Sequence, residues 1–507
     1  MTSVTFMTAA LVALGWLIQT LTKWCFHPLR AVPGPFINTI SELPAAINLL
    51  RGDQHTYYKS LHDEHGPVVR VSPNELSFIS ADAREEIYGF RKSGLMEKSA
   101  IFLGAVGAVG GQTGVSLALN AEHTRQRKAL GYLFTNSALL QLEGLFQTHV
   151  QKLITVLKSR ASNGEAVDVS SWYTYLSFDL MGDLCFAEPF GCLDQASATE
   201  WSTSVINVFV AATWTQAVRR LFGVGTWLES VMTSLLVPSK AAEWRNIHLN
   251  NSREKTARRL ADHNRDHPDF VYHILNNESN KSLSETEVIL NLALFISAGT
   301  DTTATALTGW TYFICTHPNV YERLTSEIRG ALNTEDDIKW ENVKNLRYLE
   351  ATIHETLRLF PPSPASQQRV VPKGGATIDG YFVPAGTTVA VAPWVSTHSP
   401  LNFYKPDCFL PERWLGEDER FSDDHLNASV PFGNGPRVCI GRNLAYLEMR
   451  LIAAHILWNF DIELDRGLYE TQNSVWGLDG SLRTMKIFHS MTKPELWVRF
   501  NQIRTRS

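Results

Sequence analysis

The chain has 507 residues, 44% of them hydrophobic, which is enough to bury one large core or two ordinary ones. Its net charge of -5 provides no basic field, which argues against nucleic acid as a partner. The six cysteines are scattered, with neither the regular spacing of a disulfide framework nor a Cys-x-x-Cys motif. This pattern argues against a disulfide scaffold or structural zinc and indicates a reducing compartment.

An apolar run without any charged residue opens the chain at residues 4–21. It is about as long as the roughly 20 residues that a membrane-spanning helix needs. Basic residues follow the run and none precedes it, so the positive-inside rule leaves the body of the chain in the cytosol. A cleavable signal peptide is the alternative, but its basic start and small-residue cleavage site are missing. We predict a membrane anchor over residues 1–27 and one domain over 28–507, joined by a stiff proline-rich hinge at 32–35.

Turn and loop signals mark the segments that follow. Residues 66–78 alternate in polarity around turn residues, which predicts a β-hairpin. Residues 103–114 are rich in glycine and alanine, but they miss the Gly-x-Gly-x-x-Gly spacing and follow no strand, so they indicate a flexible loop rather than a dinucleotide site. Residues 205–238 mix apolar and aromatic side chains with few charges, and most of them are expected in the core.

A basic segment, residues 123–128, opens the next predicted helix and contains His123 and Arg127. A solvated helix face explains such residues as well as a binding site does. The spacing alone leaves both interpretations open.

The centre of the next long helix is unusually polar. Ser284 and Glu287 form a capping-box signature, and the helical pattern continues to about Thr316, before Pro318. At 1.5 Å per residue, this helix spans on the order of 45 Å. Its centre, residues 298–303, contains a glycine, an aspartate and three threonines, which cost helix stability and compete for backbone carbonyls. The turns on both sides are apolar, so a polar group is expected beside a buried helix.

Residues 347–359 predict an amphipathic helix that ends at two prolines. Within it Glu355 and Arg358 share one face at i and i+3, which by spacing alone indicates an exposed pair worth a few tenths of a kcal/mol. Residues 378–381 form a strong hairpin-turn signal, and the β-branched run 387–391 follows it.

The most distinctive segment is residues 431–441, where three glycines and two prolines surround the lone Cys439. This composition predicts a rigid, tightly turned loop, followed by a helix over 443–457. The helix N-terminus would favour a thiolate at Cys439, which suits a soft metal ligand, and Phe432 would shield it from water. The alternative, an ordinary buried cysteine, is left open by composition alone.

Five residues of this loop match the haem-binding signature Phe-x-x-Gly-x-Arg-x-Cys-x-Gly of the cytochrome P-450 family: Phe432, Gly435, Arg437, Cys439 and Gly441. Residues 298–303 match the family's Ala/Gly-Gly-x-Asp/Glu-Thr-Thr/Ser motif, and Glu355 with Arg358 matches its Glu-x-x-Arg motif. The chain thus resembles this family over nearly its whole length. The resemblance implies a mainly α fold with small β-sheets (α+β), preceded by one N-terminal transmembrane helix.

The resemblance also implies haem b with Cys439 as the axial thiolate ligand of its iron, and it assigns the other four loop residues to cofactor binding. Arg127 and Arg369 are expected to bind the haem propionates. So is His123, although relatives often carry tryptophan at its position. Gly299 is expected to make room for oxygen above the haem.

Two further roles follow from the resemblance. Thr302 is expected to hold the activated oxygen by a hydrogen bond, with Asp301 relaying protons. Arg413 is expected to join Glu355 and Arg358 in a buried ion network that supports the Cys439 loop, where losing one partner typically costs about 3–5 kcal/mol.

The implied activity is a monooxygenase that activates O2 and oxidises an apolar small molecule. Since the chain carries no flavin or nicotinamide signature, its electrons would come from NADPH through a separate NADPH–cytochrome reductase. Residues 51–55, 66–74 and 188–191 resemble fungal members that serve secondary-metabolite pathways for polyketides, terpenoids or alkaloids. The loop 103–114 and the lid 205–238 would form the substrate pocket, with the lid dipping into the endoplasmic reticulum membrane and the domain facing the cytosol.

Two alternatives remain at this point. One is a haem-thiolate isomerase or dehydratase that needs no reductase, although such relatives often lack the acid–threonine pair present here. The other is a non-catalytic haem sensor or carrier. The substrate and the carbon that is oxidised do not follow from the sequence.

Overall fold

The computed structural model describes Met7 and residues 26–91, 94–262, 267, 269–276, 283–471, 476 and 485–503. Apart from Met7, the apolar run at residues 4–21 of the anchor predicted over residues 1–27 lies outside these ranges. In the described part helices dominate and the sheets are small, which confirms the predicted α+β class. The helix Glu285–Thr316 is the only described one long and apolar enough to cross a membrane, and 78% of its most apolar window is buried inside the protein.

The helices are, in chain order, α1 (Phe36–Ile40), α2 (Leu43–Arg51), α3 (Gln54–His65), α4 (Ala81–Tyr88), α5 (Asn120–Leu130), α6 (Asn136–Gln141), α7 (Glu143–Ser162), α8 (Val169–Phe186), α9 (Cys192–Gln195), α10 (Glu200–Phe222), α11 (Trp227–Leu236), α12 (Ser239–Ala261), α13 (Phe270–Asn276), α14 (Glu285–Thr316), α15 (Pro318–Ala331), α16 (Trp340–Val343), α17 (Arg347–Leu359), α18 (Pro393–Thr397), α19 (Arg442–Asn459) and α20 (Arg466–Thr471). Short 3-10 turns lie between them, among them Pro411–Trp414 and Gly435–Arg437.

The strands are β1 (Val68–Ser72), β2 (Glu75–Phe78), β3 (Glu97–Lys98), β4 (Ala166–Asp168), β5 (Arg369–Val370), β6 (Ala376–Ile378), β7 (Tyr381–Val383), β8 (Thr388–Val391), β9 (Phe460–Leu464), β10 (Ile487–Phe488), β11 (Ser490–Met491) and β12 (Trp497–Gln502). The largest sheet has the order β1-β2-β8-β5-β3, with β2 and β8 parallel. A second sheet has the order β4-β12-β9, and β6–β7 and β10–β11 pair separately.

Both predicted hairpins are present. β1 pairs antiparallel with β2, as the alternation over residues 66–78 predicted. β6 pairs antiparallel with β7 across Asp379 and Gly380, whose φ angles of 50° and 78° are the positive values that a tight hairpin turn requires.

The long helix α14 forms the centre of the molecule. It begins where the capping box predicted: Ser284 accepts from the Glu287 N–H at 3.1 Å, and the Glu287 carboxylate accepts from the Ser284 N–H at 2.9 Å. α8 packs along it. At their crossing, a Cβ on Gly299 would lie 2.5 Å from the sulfur of Met181, so the glycine lets the two helices approach closely. The same helix faces the loop 431–441 across a cavity.

Candidate active site

An apolar cavity of about 330 Å³, here called the main cavity, lies between the centre of α14 and the loop 431–441. The segment 98–116 forms one of its walls. Eight residues that the sequence predicted for the site line it: His123, Arg127, Gly299, Thr302, Phe432, Arg437, Cys439 and Gly441. Asp301, Gly435 and Arg369 lie beside this cavity rather than on its lining, and the predicted ion network lies away from it.

The loop that carries Cys439 has the tight turns its composition predicted. Gly433 and Gly435 have φ angles of 76° and 66°. A Cβ on Gly435 would lie 2.0 Å from the carbonyl oxygen of Tyr88, so only glycine fits this position. The Cys439 N–H donates to the Phe432 carbonyl at 2.7 Å, which closes the loop, and the Phe432 ring packs 5.1 Å from the Tyr446 ring centroid.

The thiol of Cys439 is open to the main cavity and is otherwise surrounded by protein. Burial raises its pKa, and the Gly441 N–H and the Arg127 charge offset only part of that rise. Burial therefore opposes the thiolate that the sequence predicts at Cys439. A metal ion bound to the sulfur would reverse the balance, since a coordinating thiol is deprotonated outright.

Basic side chains cluster at the edge of the main cavity. Burial lowers the pKa of His123 to about 4, with the neighbouring cations adding to the effect. It also lowers the pKa of Arg437 to about 10 and that of Arg369 below its usual value. Arg127 donates to the Val438 carbonyl at 2.6 Å, next to Cys439. Lys98, which the sequence analysis did not single out, also lines this cavity.

This donor set fits haem b. The Cys439 sulfur faces the cavity that would hold the ring, and buried cations border it where two propionates could be bound. One nitrogen of Arg437, Nη1, is buried without a hydrogen-bond partner, although Arg437 Nη2 donates to the Ala118 carbonyl at 2.7 Å. Such an orphaned donor is what a carboxylate would satisfy.

The predicted acid–threonine pair points in two directions. The Thr302 hydroxyl faces the main cavity and donates to the Ala298 carbonyl at 2.6 Å. The Asp301 carboxylate, almost completely buried, instead accepts from the Ser490 hydroxyl and forms an ion pair with Lys493. Both partners come from the C-terminal segment 488–493, which no local pattern connects to α14.

Asp301 and Lys493 border a second cavity, also of about 330 Å³. Hydroxyl groups of α8, among them Ser170 and Thr174, line it together with Ser490 and Thr492. Phe209 of α10 borders both this cavity and the main one. The peptide unit of Asp301 and Thr302 therefore lies between an apolar and a hydroxyl-rich space.

Glu448 is an acid on the lining of the main cavity that the sequence analysis missed. It lies on α19, two turns after the Cys439 loop, and is 2% exposed. Neither of its oxygens forms a hydrogen bond with a described residue. Burial raises its pKa to about 8, an effect that the nearby Thr303 hydroxyl opposes. The sequence signal for it was a glutamate at a position of α19 where the repeat predicts a buried apolar residue.

The three predicted members of the ion network lie together below the site. Glu355 accepts from Arg358 at 2.8 and 2.9 Å and from Arg413 at 3.0 Å, and all three side chains are fully buried. Burial alone would raise the pKa of Glu355, but the two arginines together hold it below its usual value. Arg358 also donates to the carbonyls of Pro406 and Cys408, which fixes the segment that leads to the Cys439 loop.

Comparison with known proteins agrees with this geometry. The family model for cytochrome P450 matches residues 33–479. The cytochrome P450 monooxygenase aba2 of Botryotinia fuckeliana is 58% identical over 98% of this chain and 94% of its own length. ABA2 of Pyricularia oryzae is 50% identical over 96% and 94%, and astA of Talaromyces wortmannii is 38% identical over 97% and 96%. The chain therefore belongs to the cytochrome P450 family of monooxygenases, whose cofactor is haem b held by a cysteine thiolate.

Proposed function

We propose that this monooxygenase takes electrons from NADPH through a separate reductase and oxidises an apolar small molecule in a fungal secondary-metabolite pathway. The observation that carries the proposal is that Cys439, Thr302 and the cations Arg127 and Arg437 all face one cavity with a mostly apolar lining. Similarity to monooxygenases of Botryotinia and Pyricularia supports a fungal pathway enzyme.

In this proposal Cys439 would bind the haem iron through its sulfur, and Arg127, Arg369, Arg437 and His123 would hold the propionates by charge-assisted hydrogen bonds. Haem bound through a thiolate supplies electron density that favours O–O cleavage and so the oxidation of unreactive C–H bonds. Phe432, packed on Tyr446, keeps water from the sulfur.

Thr302 and Asp301 divide the handling of protons. The Thr302 hydroxyl can rotate from the Ala298 carbonyl to donate into the main cavity, where O2 is the second substrate. Asp301 borders the hydroxyl-rich second cavity and can take up a proton there, once Lys493 or Ser490 releases one of its oxygens. Asp301 and Thr302 would thus pass a proton from the hydroxyl-lined second cavity to the main cavity, which would stay closed to water.

Electron supply would come from the side of the Cys439 loop. Lys128, near the end of α5, and Arg442, at the start of α19, are exposed on the two helices that border this loop. Exposed cations of this kind suit an acidic reductase surface, since charge complementarity accelerates docking.

Membrane association has support in the described part of the chain besides the anchor predicted over residues 1–27. No side chain of α11 is buried, and Trp227 and Leu235 are 77% and 71% exposed. α11 packs on α10, and α10 packs on α2, where Leu43 is half exposed beside Phe36 of α1. An apolar surface of this kind suits the boundary of a lipid bilayer. We propose the endoplasmic reticulum membrane as the location of the protein, with residues 28–507 facing the cytosol.

The test is spectroscopic and catalytic. The reduced full-length protein with carbon monoxide should show the red-shifted band of sulfur-ligated haem, and Cys439→Ser should lose it. Reconstituted with reductase and NADPH, wild type should couple NADPH use to product. Thr302→Ala should retain the band but divert electrons to hydrogen peroxide.

The substrate for this assay would be the metabolite that accumulates when the gene is deleted in its host. Conversion of that metabolite without NADPH would favour an isomerase or dehydratase instead. A substrate-induced spectral shift without any turnover would favour a carrier. A carbon monoxide band that survives Cys439→Ser would contradict the ligand assignment itself.

A further inference from the structure

Phe209 on α10 is the one described residue that lines both the main cavity and the second cavity. One face of α10 borders the second cavity, because Ser202, Ile206 and Phe209 recur at helical spacing. Phe209 also packs against a small apolar cluster that includes Ala105 and Ala293. It therefore lies where the two cavities approach each other.

The helices α14 and α8 also separate the two cavities. On α14, Thr302 lines the main cavity and Asp301 lines the second one. On α8, Met181 lines the main cavity, whereas Thr174, about two turns earlier, lines the second one. Helix backbone therefore forms much of the partition, and the side chain of Phe209 forms a part that a substitution can remove.

The two cavities differ in what they offer a ligand. The lining of the main cavity is mostly apolar, whereas polar side chains line the second one. Several of these donate their hydrogens to backbone carbonyl groups: Thr174 at 2.8 Å, Ser202 at 2.9 Å and Asn207 at 2.8 Å. Their side-chain oxygens are left as acceptors, and the charges of Asp301 and Lys493 balance each other. The second cavity therefore suits a neutral group that donates a hydrogen bond, such as a hydroxyl group.

We propose that Phe209 is a specificity-determining residue that ends the main cavity on the side of the second cavity, an inference that rests on the proposed function. Its ring limits the length of the substrate and keeps this end of the substrate out of the polar space. The substrate class is then an apolar molecule whose end at Phe209 carries no polar group. Without the ring, a longer ligand would extend into the second cavity and would be favoured there if it ended in a hydroxyl group.

The experiment compares Phe209→Ala, which removes the ring, with Phe209→Trp, which enlarges it. Phe102→Ala is the matched control, because it removes the same atoms from a residue that lines the main cavity and not the second one. Full-length ferric holoenzyme is titrated with N-alkylimidazoles from butyl to dodecyl, whose ring nitrogen binds haem iron, and binding is read from the haem absorption shift. Two further series end in a hydroxyl or a methoxy group.

In wild type, the affinity should rise about fourfold with each methylene group until the chain reaches Phe209, and then stop rising. In Phe209→Ala the rise should continue over longer chains. The longest hydroxyl-ended ligand should then bind about fivefold more tightly than its methoxy analogue, the usual worth of one hydrogen bond. Phe209→Trp should end the rise at a shorter chain, and Phe102→Ala should show no preference for hydroxyl over methoxy.

A preference for the hydroxyl-ended ligand already in wild type, or an equal one in Phe102→Ala, would overturn the proposal, because Phe209 would then not separate the cavities. The same length limit in wild type and Phe209→Ala would overturn it too. If Phe209→Ala does not fold, Phe209→Trp decides, and an unchanged length limit in that variant overturns the proposal. The titrations need neither NADPH nor reductase, and the carbon monoxide band reports the Cys439 ligand separately, so a failure of the proposed function is distinguishable from these outcomes.

Discussion

At the scale of single residues, the partner of Asp301 is the least expected contact of the site. The sequence motif identifies Asp301 by its neighbours on α14, but Lys493 lies 192 residues away along the chain. Both side chains are buried, at 3% and 7% exposure, so the pair is held in a low-dielectric space between two cavities. The contribution of this ion pair to stability can be measured without an assay of enzyme activity.

Lys493→Met should destabilise the protein by about 3–5 kcal/mol, because it leaves a buried carboxylate without its counter-ion. Adding Asp301→Asn should restore most of that loss, since the double variant buries no unpaired charge. Thermal unfolding of the four proteins gives the coupling free energy. Lys152→Met, at an exposed pair, should change stability by less than about 1 kcal/mol. A coupling energy near zero would show that the ion pair does not hold Asp301.

Glu448 predicts a pH dependence of stability. Its folded pKa of about 8 lies above the ordinary value of 4.5, so the folded state binds the proton more tightly than the unfolded state does. Its contribution is fully present below pH 4.5 and is lost as the pH rises towards 8, with a slope of at most about 1.4 kcal/mol per pH unit.

Glu448→Gln cannot ionise and should escape this loss. Its melting temperature relative to wild type should therefore rise between pH 5 and pH 8 and level off above that. Glu463→Gln is the control for the loss of a carboxylate, because Glu463 is exposed on β9. A difference for Glu448→Gln that follows that of Glu463→Gln at every pH would contradict the prediction.

At the scale of elements, the success of the sequence analysis follows the locality of each signal. The start of α14 and the bounds of α17 were predicted closely, because a capping box and an amphipathic repeat are contained in the segments themselves. The tight turn at Gly435 could also be predicted, since the glycines and prolines that indicate it lie within the loop itself. Lys98 and Lys493 were not, because their importance comes from tertiary contacts that no spacing encodes. The burial that opposes a thiolate at Cys439 was not predictable either, because burial is a property of the packed molecule.

Gly299 shows the same distinction. Its place in the motif predicts room for oxygen, and the structure adds that its missing side chain accommodates Met181 of α8. The two explanations are compatible, because Gly299 also lines the main cavity.

The contact between α17 and the segment around Arg413 supports a further prediction. Glu355→Gln removes the charge that both arginines share, so Arg358 loses its carboxylate partner and Arg413 retains only Asp424, and stability should fall by about 3–5 kcal/mol. Haem content should fall with it, because Arg358 fixes the carbonyls of Pro406 and Cys408 ahead of the Cys439 loop. Glu350→Gln is the control on the same helix, since Glu350 is partly exposed. If the two substitutions lowered stability equally, the buried network would contribute no more than the partly exposed pair of Glu350 with Arg450.

At the scale of the whole molecule, the apolar exposed residues are not evenly distributed. α11 and α2 both pack on α10, and each has an exposed leucine, Leu235 on α11 and Leu43 on α2. The main cavity is bordered by α10 at Phe209, so the same helix joins the apolar face to the cavity. At a bilayer that contacts this face, a dissolved substrate would meet the protein where α10 borders the main cavity.

Membrane contact at this face can be measured in the full chain. Leu235→Cys, labelled with a solvatochromic fluorophore in a Cys408→Ser background that removes an exposed cysteine, should shift to the blue in phosphatidylcholine vesicles and be quenched by spin-labelled lipid. Phe382→Cys is the control, because Phe382 is 69% exposed on β7, in a hairpin away from α11. Its probe should keep the spectrum seen in water. Because both probes report from the same chain, quenching at position 235 alone reports the orientation of the domain. Quenching at neither position would place α11 away from the bilayer, and equal quenching at both would remove any preference for this face.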